Sequence, residues 1–375
     1  MDARLLARYF ATLLSLLFAV PSTASDMGKG SSISHGAQLT RSMVGPKGLG
    51  VEHGQLRKTS VAGQRIGIGS PLPSWIPNTA YAYNNDPANR GGIVSPEGMM
   101  IDGFKIPGGT WVAQFNDFDD QIIINGAAPS PGIVFRGCRW RGAWAAPGPL
   151  NLYAKSKTSV WLLYNEAGGL GSADNQTNEV AFTTNASDAS VIFFRNYISY
   201  TTTGIQPGSK GPQLIENYIE RISYYYGDAG PPNQLGPYHL NGISFNGGQT
   251  NALVLRNKIT VQSPDDSGRT ISQTDALGFF QDFGAFIGTG TNIDGSVGYQ
   301  VRDNFLGGGG YTIYAGLNPG KSADTVQNMV VTGNVITRQW WPAGGRWGPI
   351  AAQPKWGFYG NIKTNNRFEG NGRRW

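Results

Sequence analysis

One cysteine, three histidines and a low density of charge limit what this 375-residue chain can be. Cys138 stands alone, so no intramolecular disulfide framework is available, and its place in a repeated turn marks it as a small buried side chain rather than a reactive thiol. Charged residues make up only 14% of the chain, yet 39% is hydrophobic and 11% aromatic, the reverse of what disorder requires. Beyond the first twenty residues no segment approaches the roughly 20 continuous apolar residues that span a bilayer, so no membrane insertion is expected. The positive charge, +6 overall, is scattered and not gathered in runs. No nucleic-acid partner is expected from it. It suits an anionic glycan.

The chain is instead rich in turn-formers: 54 glycines and 22 prolines favour many tight turns over helices. At the start, Arg4 and Arg8 precede an apolar stretch from Tyr9 to Val20 and the small residues Ser22-Thr23-Ala24, the pattern of a secretory signal over 1–24. The expectation is therefore a secreted or periplasmic protein. Residues 25–70 lack periodicity and read as a flexible N-terminal segment. Residues 71–375 read as one domain whose first part caps it, with Trp75, Tyr81 and Tyr83 in loop-like surroundings.

The domain is organised by a repeat in which a short apolar run ends in Asn, one residue, then Ile, Phe or Val. Its copies place Asn196, Asn217, Asn257, Asn304 and Asn334 in the same position. Ile133 to Trp140 is a sixth with Cys138 in the Asn place, and Thr364-Asn365-Asn366-Arg367-Phe368 a frayed last one. An Asn in the left-handed region turns a strand sharply, and its amide can bond the Asn of the next coil. Ahead of each Asn run lies another strand, for example Asn241 to Phe245, Asp275 to Phe280 and Tyr311 to Ala315. The order along a coil is strand, turn, strand, Asn turn, strand, variable loop. The long insertions Glu220 to Pro237, Thr260 to Thr274 and Thr337 to Pro349 fall between the Asn turn and the next coil's first strand, where repeat proteins build binding faces.

Over residues 100 to 370 these repeats resemble the right-handed parallel β-helix, or pectin-lyase-like, superfamily. The resemblance implies an all-β, single-stranded right-handed solenoid with long loops on one face. It also implies a carbohydrate-active function: polysaccharide lyase, glycoside hydrolase, esterase or phage tailspike. The galacturonase signature is met only in fragments. Gln273-Thr274-Asp275 resembles its first element, but Asp265-Asp266 precedes it and His239 stands in Tyr238-His239-Leu240-Asn241-Gly242, in the wrong order.

Candidate chemistry centres on Tyr238, His239, Asn241 and Asp275. Aligned first strands put Asn241 opposite Asp275, and His239, two residues before Asn241, shares that face by alternation. A histidine beside a carboxylate suits acid–base work near neutral pH. Arg269, Arg338 and Arg346 lie in the insertions and suit carboxylate or sulfate recognition. Tyr224, Tyr225, Tyr226, Trp340, Trp341 and Trp347 offer flat apolar area to sugar rings, whereas Phe279 and Phe283 are expected to pack. The leading expectation is β-elimination on an acidic polysaccharide by a monomer. Hydrolysis by paired carboxylates (Asp275 with Asp282 or Asp228) and a non-catalytic adhesin remain open. Asp117-Phe118-Asp119-Asp120 is the one candidate Ca²⁺ site. No cofactor is otherwise expected, and Gly307-Gly308-Gly309-Gly310 reads as a turn, since no Lys-Ser or Lys-Thr follows it. Asn175-Gln176-Thr177 and Asn185-Ala186-Ser187 match the glycosylation acceptor pattern.

Overall fold

The computed structural model describes residues 93–94, 99–114, 117–118, 122–124, 132–141, 150–152, 159–168, 180–184, 189–199, 201–220, 222, 240–261, 274–317, 325–352, 354–370 and 372–375. Within them the chain is all-β, with almost no helix. Three sheets of ten, nine and eight strands take one strand each from every coil. Val191–Phe194 lies in the ten-stranded sheet, Tyr197–Ser199 in the nine-stranded and Thr203–Pro207 in the eight-stranded. Gln213–Ile215 then returns beside Val191–Phe194 with Ile192 opposite Gln213. Pairing within the three sheets is parallel, except where Ile93–Val94 runs antiparallel along Trp111–Val112 and covers that edge. Such long parallel sheets, visited in rotation, are consistent with a β-helix solenoid, and the expected strand order along each coil holds.

All three sheets turn one set of side chains into a shared interior. Phe193, Ile198 and Ile205 of one coil, then Leu214, Ile219 and Ile243 of the next, are fully buried in a single cluster. Each such aliphatic or aromatic side chain contributes about 1.5–3 kcal/mol by leaving water. Phe279, expected to pack, does so. Its ring stacks on Phe245 at 4.4 Å with planes 4° apart. Phe283 does not, being 77% exposed.

The turn after each ten-stranded-sheet strand carries a continuous amide column: Asn165, Asn196, Asn217, Asn257, Asn304, Asn334 and Asn366, all buried. From Asn196 onward each Oδ1 accepts from the backbone N–H and the Nδ2 of the coil before, as Asn217 does from Asn196 at 3.0 and 2.9 Å. Each Nδ2 also donates to a strand carbonyl, for Asn217 that of Phe193 at 2.9 Å. Cys138 heads the column in the Asn place, buried, its N–H donating to Asn165 Oδ1 at 2.9 Å. Asn165 was not anticipated, because Glu166-Ala167 follows it where the repeat has Ile, Phe or Val.

The asparagines are not the left-handed residues. The residue before each one is: Tyr164, Arg195, Glu216, Arg256 and Asp303 have φ of 57, 55, 56, 52 and 56°. Keeping the ladder Asn out of that region lets its side chain lie along the column. The strained position, costing roughly 1–2 kcal/mol for an L-residue, passes to a neighbour whose side chain need not enter the column. Those neighbours form a row of their own. Glu216 accepts from Arg195 Nε at 2.6 Å and from Arg256 Nε at 2.9 Å, and Arg195 also donates to the Tyr164 hydroxyl at 3.1 Å.

Insertions occur at more than one corner. Of the three expected at the junction of the nine- and eight-stranded sheets, two lie largely outside the described residues. The third, 337–349, is described. A further insertion, 288–298, joins the eight- and ten-stranded sheets and folds over the outer face of the ten-stranded one, where Ile293 N–H reaches Gln213 Oε1 at 3.1 Å. Earlier on that same face, a hairpin of Met99–Ile101 and Phe104–Ile106 packs over Val134, Trp161 and Ile192.

Candidate functional site

Asp275 opens the strand Asp275–Phe280 of the eight-stranded sheet, in register opposite Asn241, as aligned first strands predict. Strict alternation fails at its entry, since Ala276 and Leu277 both pack into the interior. The carboxyl is thereby left on the outer side with Gly278, where a Cβ would stand 3.0 Å from Asp275 Oδ2. Asp275 is 0% exposed, and neither carboxyl oxygen has a hydrogen-bond partner. Burial pushes its carboxyl well above the ordinary carboxylate range, which favours the neutral acid. Asn241 beside it is 5% exposed, with its Oδ1 likewise unpaired.

The glycine run Gly307 to Gly310 forms the turn pressed against this carboxylic acid. Gly309 has φ +87°, and a Cβ there would lie 2.7 Å from Asp275 Cα, so only glycine fits. Backbone bonds tie the turn into a staircase. Gly310 N–H donates to Thr274 O at 2.9 Å, Arg346 N–H to Gly309 O at 2.9 Å, and Trp347 N–H to Gly310 O at 2.8 Å. The insertion that carries Arg346 and Trp347 is therefore fastened to the strand entry that carries Asp275.

An aromatic patch continues from the carboxylic acid. Tyr314 stands opposite Gly278, 5.5 Å from the Phe280 ring and 5.4 Å from Tyr311, whose own ring lies 5.8 Å from Trp347. Burial first, and then the adjacent Asp275, push the Tyr314 phenol above its usual range, so it stays protonated. Trp347 is 56% exposed, and the Arg346 guanidinium sits 5.7 Å over its indole. Together these make a buried carboxyl whose neutral form is favoured, a phenol, a cation and one solvent-facing indole on the outer side of one sheet. Such a set can hydrogen-bond an anionic group and cover the apolar face of a ring.

Not every expected residue joins them. Tyr238, His239, Tyr225, Tyr226 and Arg269 lie outside the described residues. Arg338 stacks over Phe368, 5.6 Å away on the last strand of the nine-stranded sheet. Trp340 packs against that sheet too, its ring covering Gly307, and Trp341 is half-buried. Tyr311 and Tyr314 were not anticipated, because their strand Tyr311–Leu317 gives no sign in sequence of which rings face outward. The side chains of Asp117-Phe118-Asp119-Asp120 also lie outside the described residues. Among the described ones no group of three or more His, Cys, Asp or Glu side chains is positioned to hold a metal. Comparison with protein-family models, curated proteins and solved structures returns no match.

Proposed function

We propose that this chain is a right-handed parallel β-helix of the pectin-lyase-like kind that binds an acidic polysaccharide along the outer face of the eight-stranded sheet and cleaves it by β-elimination. The right-handed sense follows the strong preference of parallel strand connections. The reading is carried by Asp275, a buried carboxylic acid held without a partner beside an aromatic patch. An unpaired buried polar group costs stability, and such costs concentrate at sites of function.

In this reading the neutral Asp275 carboxyl and the Asn241 amide hydrogen-bond the uronate carboxylate, assisted by the charge of Arg346. Withdrawing charge from that carboxylate acidifies the carbon-bound proton next to it. His239, two residues before Asn241, removes that proton. The electron pair forms the C4–C5 double bond, the C4–O bond breaks, and the departing oxygen is protonated by the Tyr314 phenol. Trp347 covers a sugar ring of the bound chain. Because Asp275 is closed to solvent at rest, substrate binding must uncover it.

The protein is incubated with alginate, pectate, glucuronan and glycosaminoglycans while the ultraviolet absorbance of unsaturated uronates is followed. Rising absorbance that both Asp275→Asn and His239→Ala abolish supports elimination at this site. New reducing ends without absorbance replace it with hydrolysis, and saturable binding without cleavage replaces it with a non-catalytic binder. The exposed Trp347 and Arg346 would serve that last role unchanged.

A further inference from the structure

The ten-stranded sheet carries a second concave feature, on a different sheet from Asp275. A cavity of about 450 Å³ opens between its outer face and the insertion 288–298, within the roughly 300–1,000 Å³ usual for small-molecule sites. We propose that this cavity binds a hydroxyl-rich ring bearing one carboxylate, such as a uronate unit. The site stands independently of the elimination reading.

Three buried amides build the wall. Asn292 is saturated: its Oδ1 accepts from Gln213 Nε2 at 3.1 Å and Asn251 Nδ2 at 2.8 Å, and its Nδ2 donates to Ser296 Oγ at 3.2 Å and Gly298 O at 2.9 Å. The remaining Nε2 and Nδ2 protons are engaged too, from Gln213 to Gly211 O at 2.7 Å and from Asn251 to Thr291 O at 3.2 Å. What the wall still offers is acceptor capacity at Gln213, whose Oε1 receives only Ile293 N–H at 3.1 Å. An sp² oxygen accepts two hydrogen bonds, so Gln213 Oε1 has one to give to an incoming hydroxyl, whereas Asn251 Oδ1 takes the Thr250 hydroxyl at 3.1 Å and is closed in by backbone.

Close packing of the backbone holds this wall rigid. A Cβ on Gly290 would run into Asn251 Oδ1, and one on Gly211 would stand 2.7 Å from the same atom, so both backbones close directly on the amide. Ile192 forms an apolar part of the lining, and Ile293, 53% exposed, stands opposite as an apolar flank. Lys210, exposed, is the one charged residue of the lining. The Gln213 acceptor, apolar flanks and a single cation at the rim match a pyranose with hydroxyl edges, C–H faces and one carboxylate. A neutral apolar ligand would use neither the second acceptor position of Gln213 nor the Lys210 charge, and a polyanion would find only one cation.

The test uses the full chain, with D-glucuronate, D-galacturonate and the matching neutral hexoses as probes, followed by saturation-transfer NMR and calorimetry. The uronates are expected to bind saturably. Thr291→Trp, which fills the cavity from an exposed side chain, should abolish binding. Ile293→Asp should do the same by charge repulsion without altering the backbone bridge between Thr291 and Val297. Lys210→Gln should weaken uronates about fivefold toward the level of the neutral sugars. These effects are read in the Asp275→Asn background, where uronate held by the elimination site no longer contributes, so failure here and failure of that site are separable. No saturable binding up to about 10 mM in that background, or binding there that survives both Thr291→Trp and Ile293→Asp, overturns the proposal.

Discussion

Replacing Asp275 with Asn should make the protein more stable in a pH-dependent way and, in the elimination reading, inactive. The folded carboxyl is held well above its ordinary range by burial and has no hydrogen bond to offset that burial. The sign follows directly. At low pH, below the unfolded value near 4, folded and unfolded chains are both protonated and Asp275 carries no ionisation penalty. As pH rises above that value the unfolded chain releases the proton while the folded one keeps it. Stability therefore falls by about 1.4 kcal/mol per pH unit up to the raised folded value. Asn is nearly isosteric and cannot ionise, so it removes this slope. Urea denaturation of both proteins at unit steps from pH 5 to 8 isolates the contribution, because every other titrating group cancels in the difference. The variant's advantage should widen by about 1.4 kcal/mol per unit within the window. A difference that stays flat across those steps would mean that Asp275 ionises as easily folded as unfolded, and the neutral acid on which the proposed chemistry depends would be gone.

Two further substitutions probe the shaft and the patch. Asn217→Ala removes four buried hydrogen bonds, to Asn196 N–H, Asn196 Nδ2, Phe193 O and Asn257 Oδ1. At about 1 kcal/mol each the loss should be roughly 4 kcal/mol. Asn366→Ala, at the end of the column with three such bonds, should cost about 3 kcal/mol. Urea midpoints read both, and a cost below about 1 kcal/mol for Asn217→Ala would show that the column does not hold the coils together. Trp347→Ala should barely change stability, the side chain being mostly exposed. It should weaken an acidic oligosaccharide by up to about tenfold in calorimetry, and unchanged affinity would remove the indole from the binding surface.

The shaft was legible because its strongest interactions are repeated identities. An Asn that must bond the Asn above and below recurs as the same letter at the same step, and the register of Asn241 with Asp275 follows from aligning the strands ahead of it. The left-handed residue was not legible, since Tyr164, Arg195, Glu216 and Asp303 share no chemistry that marks a positive φ. Asn165 escaped because its neighbours Glu166 and Ala167 break the apolar context while leaving the amide free to join the column. The outer aromatic patch was hidden by one local irregularity. With Ala276 and Leu277 both inward, alternation no longer says which side Tyr311 and Tyr314 occupy. The amide-walled cavity was beyond reach, because Gln213 meets Asn292 across 79 positions of chain.

This contrast bears on where function lies. From Asn165 to Asn334 each buried asparagine has its donors and acceptor matched, an arrangement that repetition itself secures, because each coil presents the partner that the previous one lacks. Asp275 belongs to the same stack of coils and has Asn241 in register, yet both its oxygens are unmatched. A solenoid built for stability alone would carry a small or apolar residue at that step, as Val180 and Gly348 do in other coils. Matched along the turn, the fold leaves both Asp275 oxygens and the Asn241 Oδ1 unmatched at one strand entry, next to the surface where Tyr314, Trp347 and Arg346 meet.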